Sequence, residues 1–201
     1  LINTKVKICG LTRIEDIHYV NDAKPDYIGF VFAESRRKVT PQKALELRGK
    51  LSVDIIPVGV FVNEPIENVI SLVENAVIDM IQLHGSENAE YINRIKSLTD
   101  KPIIKANADR NTALLADYLL FDNIVPGSGK CFDWDTLRGD GRPQKPFFLA
   151  GGLGIDNIQE AITKLNPFVA DTSSGVETNG IKDCFKIKEF IQKARLQKGQ
   201  G

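Results

Sequence analysis

The chain is short of the residues on which several functions depend. Cysteine occurs three times in 201 residues, at Cys9, Cys131 and Cys184. The number is odd and no two fall in a Cys-x-x-Cys spacing, which speaks against a disulfide framework or a zinc site and for reduced thiols. An excess of one charge is missing too. The 26 lysines and arginines balance 26 aspartates and glutamates, so no basic stripe argues for nucleic acid or a membrane surface as partner. No apolar run approaches the ~20 residues that cross a bilayer. The first residues, broken by Lys5, Lys7, Arg13, Glu15 and Asp16, do not resemble a signal peptide. What remains is a cytoplasmic enzyme acting on a small molecule, as a monomer or a homodimer.

Hydrophobic residues make up 42% of the chain, enough for one well-buried core. Apolar segments alternate with helical ones throughout. Strands are predicted at Lys5 to Cys9, Asp26 to Phe32, Ile55 to Val62, Ile78 to Leu83, Pro102 to Ala106, Tyr118 to Asp122, Pro146 to Leu149 and Phe168 to Asp171. Thr12, Thr40 and Ser86 are placed to cap the first, second and fourth helices. The stretch after the fifth strand, Asn107 to Ala116, is short and polar, so its helix is expected to be degenerate. This pattern predicts an α/β fold, a single (β/α)8 barrel domain over residues 1–201. An open Rossmann-like sheet is the competitor, but no Gly-x-Gly-x-x-Gly opens a helix here.

In such a barrel the chemistry gathers where strands end. Strand alternation puts Lys5, Lys7 and Cys9 on one face and Val6 and Ile8 on the other. Cys9 therefore becomes a candidate general base, and Lys7 is placed to lower the pKa of its thiol. Asp122 ends the sixth strand, on the far side of the barrel, and suits a general acid. Gln82 and His84 share a face and both point inward, with His84 read as a satisfied interior histidine. Arg36 or Arg37 suits a substrate carboxylate gripped in a fork. Gly151-Gly152 and Ser173-Ser174-Gly175 end the last two strands, where barrels commonly bind phosphate through backbone N–H groups. Gly127-Ser128-Gly129-Lys130 reads equally as a lid or a surface loop. Taken singly, Cys9 is as well explained as core filler, Asp122 as a loop cap and Lys7 as an interior ion pair.

Taken together, the segments KVKICGLTR, GFVFAESRRKVTP, GVFVNEP, IQLHGSE, YLLFD…GSGKCFDW, AGGLGIDNI and FVADTSSGVE run in one order along nearly the whole chain. In that order they resemble the phosphoribosylanthranilate isomerase family of tryptophan biosynthesis. The resemblance implies an intramolecular oxidoreductase of the aldose–ketose isomerase type, working without a cofactor or metal. Its reaction is the Amadori rearrangement of N-(5-phosphoribosyl)anthranilate to 1-(2-carboxyphenylamino)-1-deoxyribulose 5-phosphate. It also implies Cys9 as general base, Asp122 as general acid and Arg37 as the holder of the anthranilate carboxylate. The phosphate falls to Gly151, Gly152, Ser173, Ser174 and Gly175, and Asp171 orients the substrate. Lys7, Gln82 and His84 would stand behind them. One departure is Pro126, where many members carry glycine, which stiffens that loop. Indole-3-glycerol-phosphate synthase would want a catalytic lysine and an extension before the first strand. A sugar isomerase of histidine biosynthesis would carry aspartate in place of Cys9, and a non-catalytic phosphate-binding barrel would have no use for Cys9, Arg37 and Asp122 together.

Overall fold

The first strand decides the architecture, because its two faces have different destinations. In β1 (Lys5–Cys9) Val6 and Ile8 are fully buried against the helices, while Lys5, Lys7 and Cys9 face the other way. The computed structural model describes residues 4–122, 134–137 and 143–196. Seven further strands follow in parallel, β2 (Tyr27–Val31), β3 (Ile56–Phe61), β4 (Met80–Leu83), β5 (Ile103–Ala106), β6 (Tyr118–Phe121), β7 (Phe147–Leu149) and β8 (Val169–Thr172). They pair in chain order, and β8 closes on β1 to complete the barrel.

The interior is a separate apolar cluster of alternate strand positions, including Tyr27, Val58, Met80, Ile104, Leu120, Phe148 and Val169. Aromatic rings fill its lower end, where Tyr118 stacks on Phe168 at 5.4 Å and meets Phe148 edge-on at 5.6 Å. Lys5 lies over the rings of Tyr27 and Phe168 there. The larger core lies between the strands and helices α1 (Ile14–Ala23), α2 (Pro41–Arg48), α3 (Ile66–Glu74), α4 (Ala89–Lys96), α5 (Arg110–Leu115), α6 (Ile158–Leu165) and α7 (Cys184–Arg195). No described helix is long and apolar enough to cross a membrane.

The caps differ from expectation at two of three positions. Thr40 does cap α2, accepting from the N–H of Lys43. At α1 the cap position falls on Arg13 rather than Thr12, because Asp16 reaches back and accepts the N–H groups of both Thr12 and Arg13. At α4 it falls on Asn88 rather than Ser86, since Ser86 donates to Asn63 instead. The degenerate helix after β5 is a six-residue α5, held by Asp109, which accepts from both the N–H and the hydroxyl of Thr112. Between β6 and β7 the described residues form one 3-10 turn, Trp134–Leu137. The expected lid residues Gly127 to Lys130, together with Pro126 and Cys131, lie outside the described residues.

A hairpin that the sequence reading did not anticipate follows β8. Its strands β9 (Glu177–Thr178) and β10 (Ile181–Lys182) are antiparallel, and Asn179-Gly180 between them takes positive φ at both residues. That is the turn chemistry that favours two-residue hairpins.

A buried ion pair outside the barrel wall ties the upper loops together. Lys105 Nζ sits 3.2 Å from Glu87 Oε2 and donates to the carbonyls of Gly85 and Ala106. Glu87 in turn accepts the N–H groups of Asn63 and Gly85. Removing one partner strands a buried charge, so Lys105→Met is expected to lower the unfolding free energy by about 3–5 kcal/mol in urea titration. The double variant with Glu87→Leu is not expected to recover, because Glu87 also satisfies two backbone donors; an unchanged midpoint in the single variant contradicts this.

Candidate active site

The upper mouth of the barrel collects polar groups because inward positions near the strand ends are not apolar. Cys9, the last residue of β1, faces Gly29 of β2 in register. A Cβ at position 29 would lie 2.5 Å from the Cys9 sulfur, so glycine there makes room for the thiol inside the barrel. Lys7, one inward step below, has no solvent exposure. It pairs in register with Asp171 of β8, and its Nζ lies 2.7 Å from Asp171 Oδ2. The same nitrogen donates to Gln82 Oε1 of β4 at 2.9 Å. Next along β4, Gln82 Nε2 lies 3.0 Å from His84 Nδ1, and His84 Nε2 lies 3.3 Å from Asp122 Oδ2 at the end of β6. Asp171, Lys7, Gln82, His84 and Asp122 thus form one unbroken series of contacts across the mouth, and Cys9 borders it through Lys7.

Burial of the pair sets its electrostatics. Desolvation would push the Lys7 ammonium down, but the charges of Asp171 and Cys9 outweigh it and hold Lys7 protonated above its ordinary value. Burial pushes the Asp171 carboxyl up, with Lys7 opposing. At 2.7 Å the two groups form a buried ion pair. Cys9 runs against the expectation from sequence. Burial raises its pKa; Lys7 and Lys182 pull it down, Asp171 pushes it further up, and the net shift is upward. Lys7 does lower the thiol, but burial outweighs it.

Arg37 lies beside Cys9, its aliphatic stem across Gly10. Its guanidinium is not open on all sides. Nε and Nη2 grip Glu177 of the hairpin at 2.8 and 3.1 Å, and Arg36 pairs with the same carboxylate. The fork expected for a substrate is therefore used side-on by Glu177, which leaves the end-on edge of Arg37. Lys182 completes the cluster, donating to Glu177 at 2.7 Å and to the carbonyl of Ser173. Burial works against the Glu177 charge, but hydrogen bonds from Arg37, Lys182 and Arg36 hold its carboxyl down to about 2. Glu177 and Lys182 were missed in the sequence; the Asn179-Gly180 turn was the signal that could have brought them to the mouth.

The loops after β7 and β8 pack together beside Cys9. Gly175 comes so close to Leu153 that a Cβ would lie 2.0 Å from its carbonyl oxygen, and Thr172 Oγ1 donates to that same oxygen at 2.7 Å. Gly151 and Gly152 both take positive φ, and a Cβ on Gly152 would meet nothing within 4 Å. Among the described residues, the backbone N–H groups of Gly152, Leu153, Ser174 and Gly175 donate no hydrogen bond. This is the arrangement an anion needs. The Ser173 hydroxyl donates to the carbonyl of Cys9 at 3.0 Å, tying this loop to the end of β1. No cluster of three or more metal-binding side chains occurs among the described residues.

The sequence profile of the family described as N-(5'phosphoribosyl)anthranilate (PRA) isomerase matches residues 6–193. The chain is 50% identical over 196 residues to an N-(5'-phosphoribosyl)anthranilate isomerase of Endomicrobium trichonymphae, across 94% of this chain and 96% of that one. The crystal structure of phosphoribosyl anthranilate isomerase from Thermus thermophilus superposes with a TM-score of 0.83 at 32% identity, over 94% and 98% of the two chains. A phosphoribosyl anthranilate isomerase in complex with reduced 1-(o-carboxyphenylamino)-1-deoxyribulose 5-phosphate gives 0.80 at 34% identity, over 95% and 98%.

The raised thiol makes a prediction for the free protein. Alkylation of Cys9 by iodoacetamide, followed by mass spectrometry of its peptide, is expected to accelerate with pH through a midpoint above that of free cysteine. Lys7→Met removes a charge that lowers the pKa and is expected to move the midpoint higher still. A midpoint below that of free cysteine contradicts the burial argument.

Proposed function

Because the chain belongs to the N-(5'-phosphoribosyl)anthranilate isomerase family, we propose that Cys9 and Asp122 are the base and acid with which it performs the isomerisation. The reaction belongs to tryptophan biosynthesis and converts N-(5'-phosphoribosyl)anthranilate to 1-(2-carboxyphenylamino)-1-deoxyribulose 5-phosphate. The observation that best supports the assignment is the series of contacts that binds β1, β4, β6 and β8 at one mouth, running from Asp171 to Asp122 with the thiol beside it at Lys7.

The chemistry follows from those groups. Asp122 gives its proton to the ribose ring oxygen as the bond from that oxygen to C1' breaks, and the anthranilate nitrogen becomes a cationic imine. The Cys9 thiolate removes the proton from C2', and the electron pair flows into the imine to give an enolamine. Loss of the enol proton and protonation at C1' then yield the ketone, so no atom is gained or lost. A thiol whose pKa is raised by burial is a stronger base once ionised, and the imine charge forming beside it favours its ionised form. Lys7 supplies a fixed positive charge below the sulfur, held in place by Asp171.

The remaining residues bind. The end-on edge of Arg37 takes the anthranilate carboxylate, with Glu177 fixing the guanidinium from the side. The backbone donors of Gly152, Leu153, Ser174 and Gly175 take the phosphate, with Gly151 and Ser173 shaping the two loops. Asp171 has one buried carboxylate oxygen, Oδ1, with no hydrogen-bond partner among the described residues, and this oxygen is suited to a ribose hydroxyl. The barrel works as one domain.

Steady-state kinetics that follow loss of anthranilate fluorescence separate these roles. Cys9→Ala and Asp122→Asn are each expected to lower kcat by about 10²–10⁴-fold with little change in KM, the range for a lost general acid or base. Arg37→Met is expected to act mainly on KM. Undiminished turnover in either of the first two variants removes that residue from the mechanism.

A further inference from the structure

The polar series across the mouth has a direction, set at its buried end. A lysine ammonium only donates, so the Gln82 atom 2.9 Å from Lys7 Nζ is the carbonyl oxygen. Lys7 has no solvent exposure and Gln82 is only 2% exposed, so water does not compete for that contact. With its oxygen fixed, Gln82 turns its amide nitrogen toward His84, 3.0 Å from Nδ1. An amide nitrogen also only donates, and Nδ1 must therefore meet it as a bare acceptor. Neutral imidazole then carries its single proton on Nε2, the nitrogen 3.3 Å from Asp122 Oδ2.

We propose that His84 is a positioning residue for the general acid: locked by Lys7 and Gln82 as the Nε2–H tautomer, it orients the Asp122 carboxyl through Oδ2 and stabilises the carboxylate that forms as the proton leaves. The inference rests on the reading of Asp122 as the acid. A neutral donor suits this task better than a cation. A lysine or arginine at this distance would favour the carboxylate in the ground state as well as in the transition state. The N–H of a neutral imidazole instead gains strength as negative charge develops on the carboxylate, an interaction worth more in the transition state than in the ground state. The approach of Nε2 to Oδ2 at 3.3 Å is an ion-pair distance rather than a formed hydrogen bond, and such contacts commonly tighten when substrate binds. Lys7 consequently serves both ends of the reaction, placing a charge beneath the thiol and fixing the tautomer beside the acid.

The chain contains two histidines, and the other, His18, is exposed on α1, so ¹⁵N-histidine NMR resolves the question directly. At mildly alkaline pH, His84 in the unmodified protein is expected to show a protonated Nε2 and an unprotonated Nδ1, with His18 as the solvent reference. Gln82→Glu replaces the donor facing Nδ1 by an acceptor and is expected to bring a proton to Nδ1. In kinetics, His84→Asn, which has no donor at the Nε2 position, is expected to lower kcat about tenfold or more with KM within about twofold. His84→Gln, whose amide nitrogen reaches that position, is expected to recover most of the loss. A proton on Nδ1 in the unmodified protein overturns the proposal, and so does an undiminished kcat in His84→Asn while Asp122→Asn is inactive. Full activity in Asp122→Asn would instead remove the acid assignment itself. The tautomer measurement decides the matter even if His84→Asn does not fold.

Discussion

The ion pair between Lys7 and Asp171 lies at the seam where β8 closes on β1, and the polar mouth is arranged around it. Its two partners are register neighbours, so the pairing that closes the barrel also brings the charges to 2.7 Å. A buried pair of this kind contributes little net stability, because desolvating two ions offsets most of their attraction, whereas removing one partner strands the other at a cost of about 3–5 kcal/mol. Its value here is directional. It fixes one ammonium in the centre of the barrel, and from that nitrogen follow the orientation of Gln82, the tautomer of His84 and part of the field at Cys9. Apolar residues of similar volume would fill the same space and fix none of these.

Two further charge clusters hold the surrounding loops by the same means. On one side, Glu177 gathers Arg36, Arg37 and Lys182, so the loop after β2 and the hairpin after β8 become one rim. On the other, Glu87 and Lys105 tie the loops after β3 and β4 to β5, beneath the segment that carries His84. Each cluster pairs a buried carboxylate with a buried lysine and satisfies backbone groups as well. Loops held this way keep functional side chains in place although they lie outside the strands.

The barrel was legible in the sequence because apolar strands alternate with helices at regular spacing, and the inward parity of Lys7, Cys9, Gln82 and His84 followed from period two alone. Boundaries and caps were less so. Asp16 and Asn63 change the capping at α1 and α4 through side chains that compete for the same backbone donors, and the order of residues does not show which wins. The sign of the Cys9 shift was also hidden. It is set first by burial of the thiol, to which the charge of Asp171, 162 positions away, adds, and together they outweigh the lysine that adjacency had credited with lowering the thiol. The hairpin with Glu177 had a readable turn in Asn179-Gly180, but its strands are two residues each and carry no periodicity to see.

Glu177 also bears on what the mouth can admit. Its carboxylate takes the Nε–Nη2 edge of Arg37 and shares Arg36 and Lys182, so the cluster of three cations and one anion keeps a surplus of two positive charges at the rim. The surplus favours a small anion, and the occupied edge restricts where that anion can sit, because only the end-on face of Arg37 remains for a second carboxylate. With a phosphate at the loops after β7 and β8, a molecule bound across the mouth is held at both ends by groups the protein has already oriented. On the proposed assignment the ribose between them would meet Cys9 and Asp122 with little freedom to turn, and that restriction is what would let two ordinary side chains carry out successive proton transfers on one sugar.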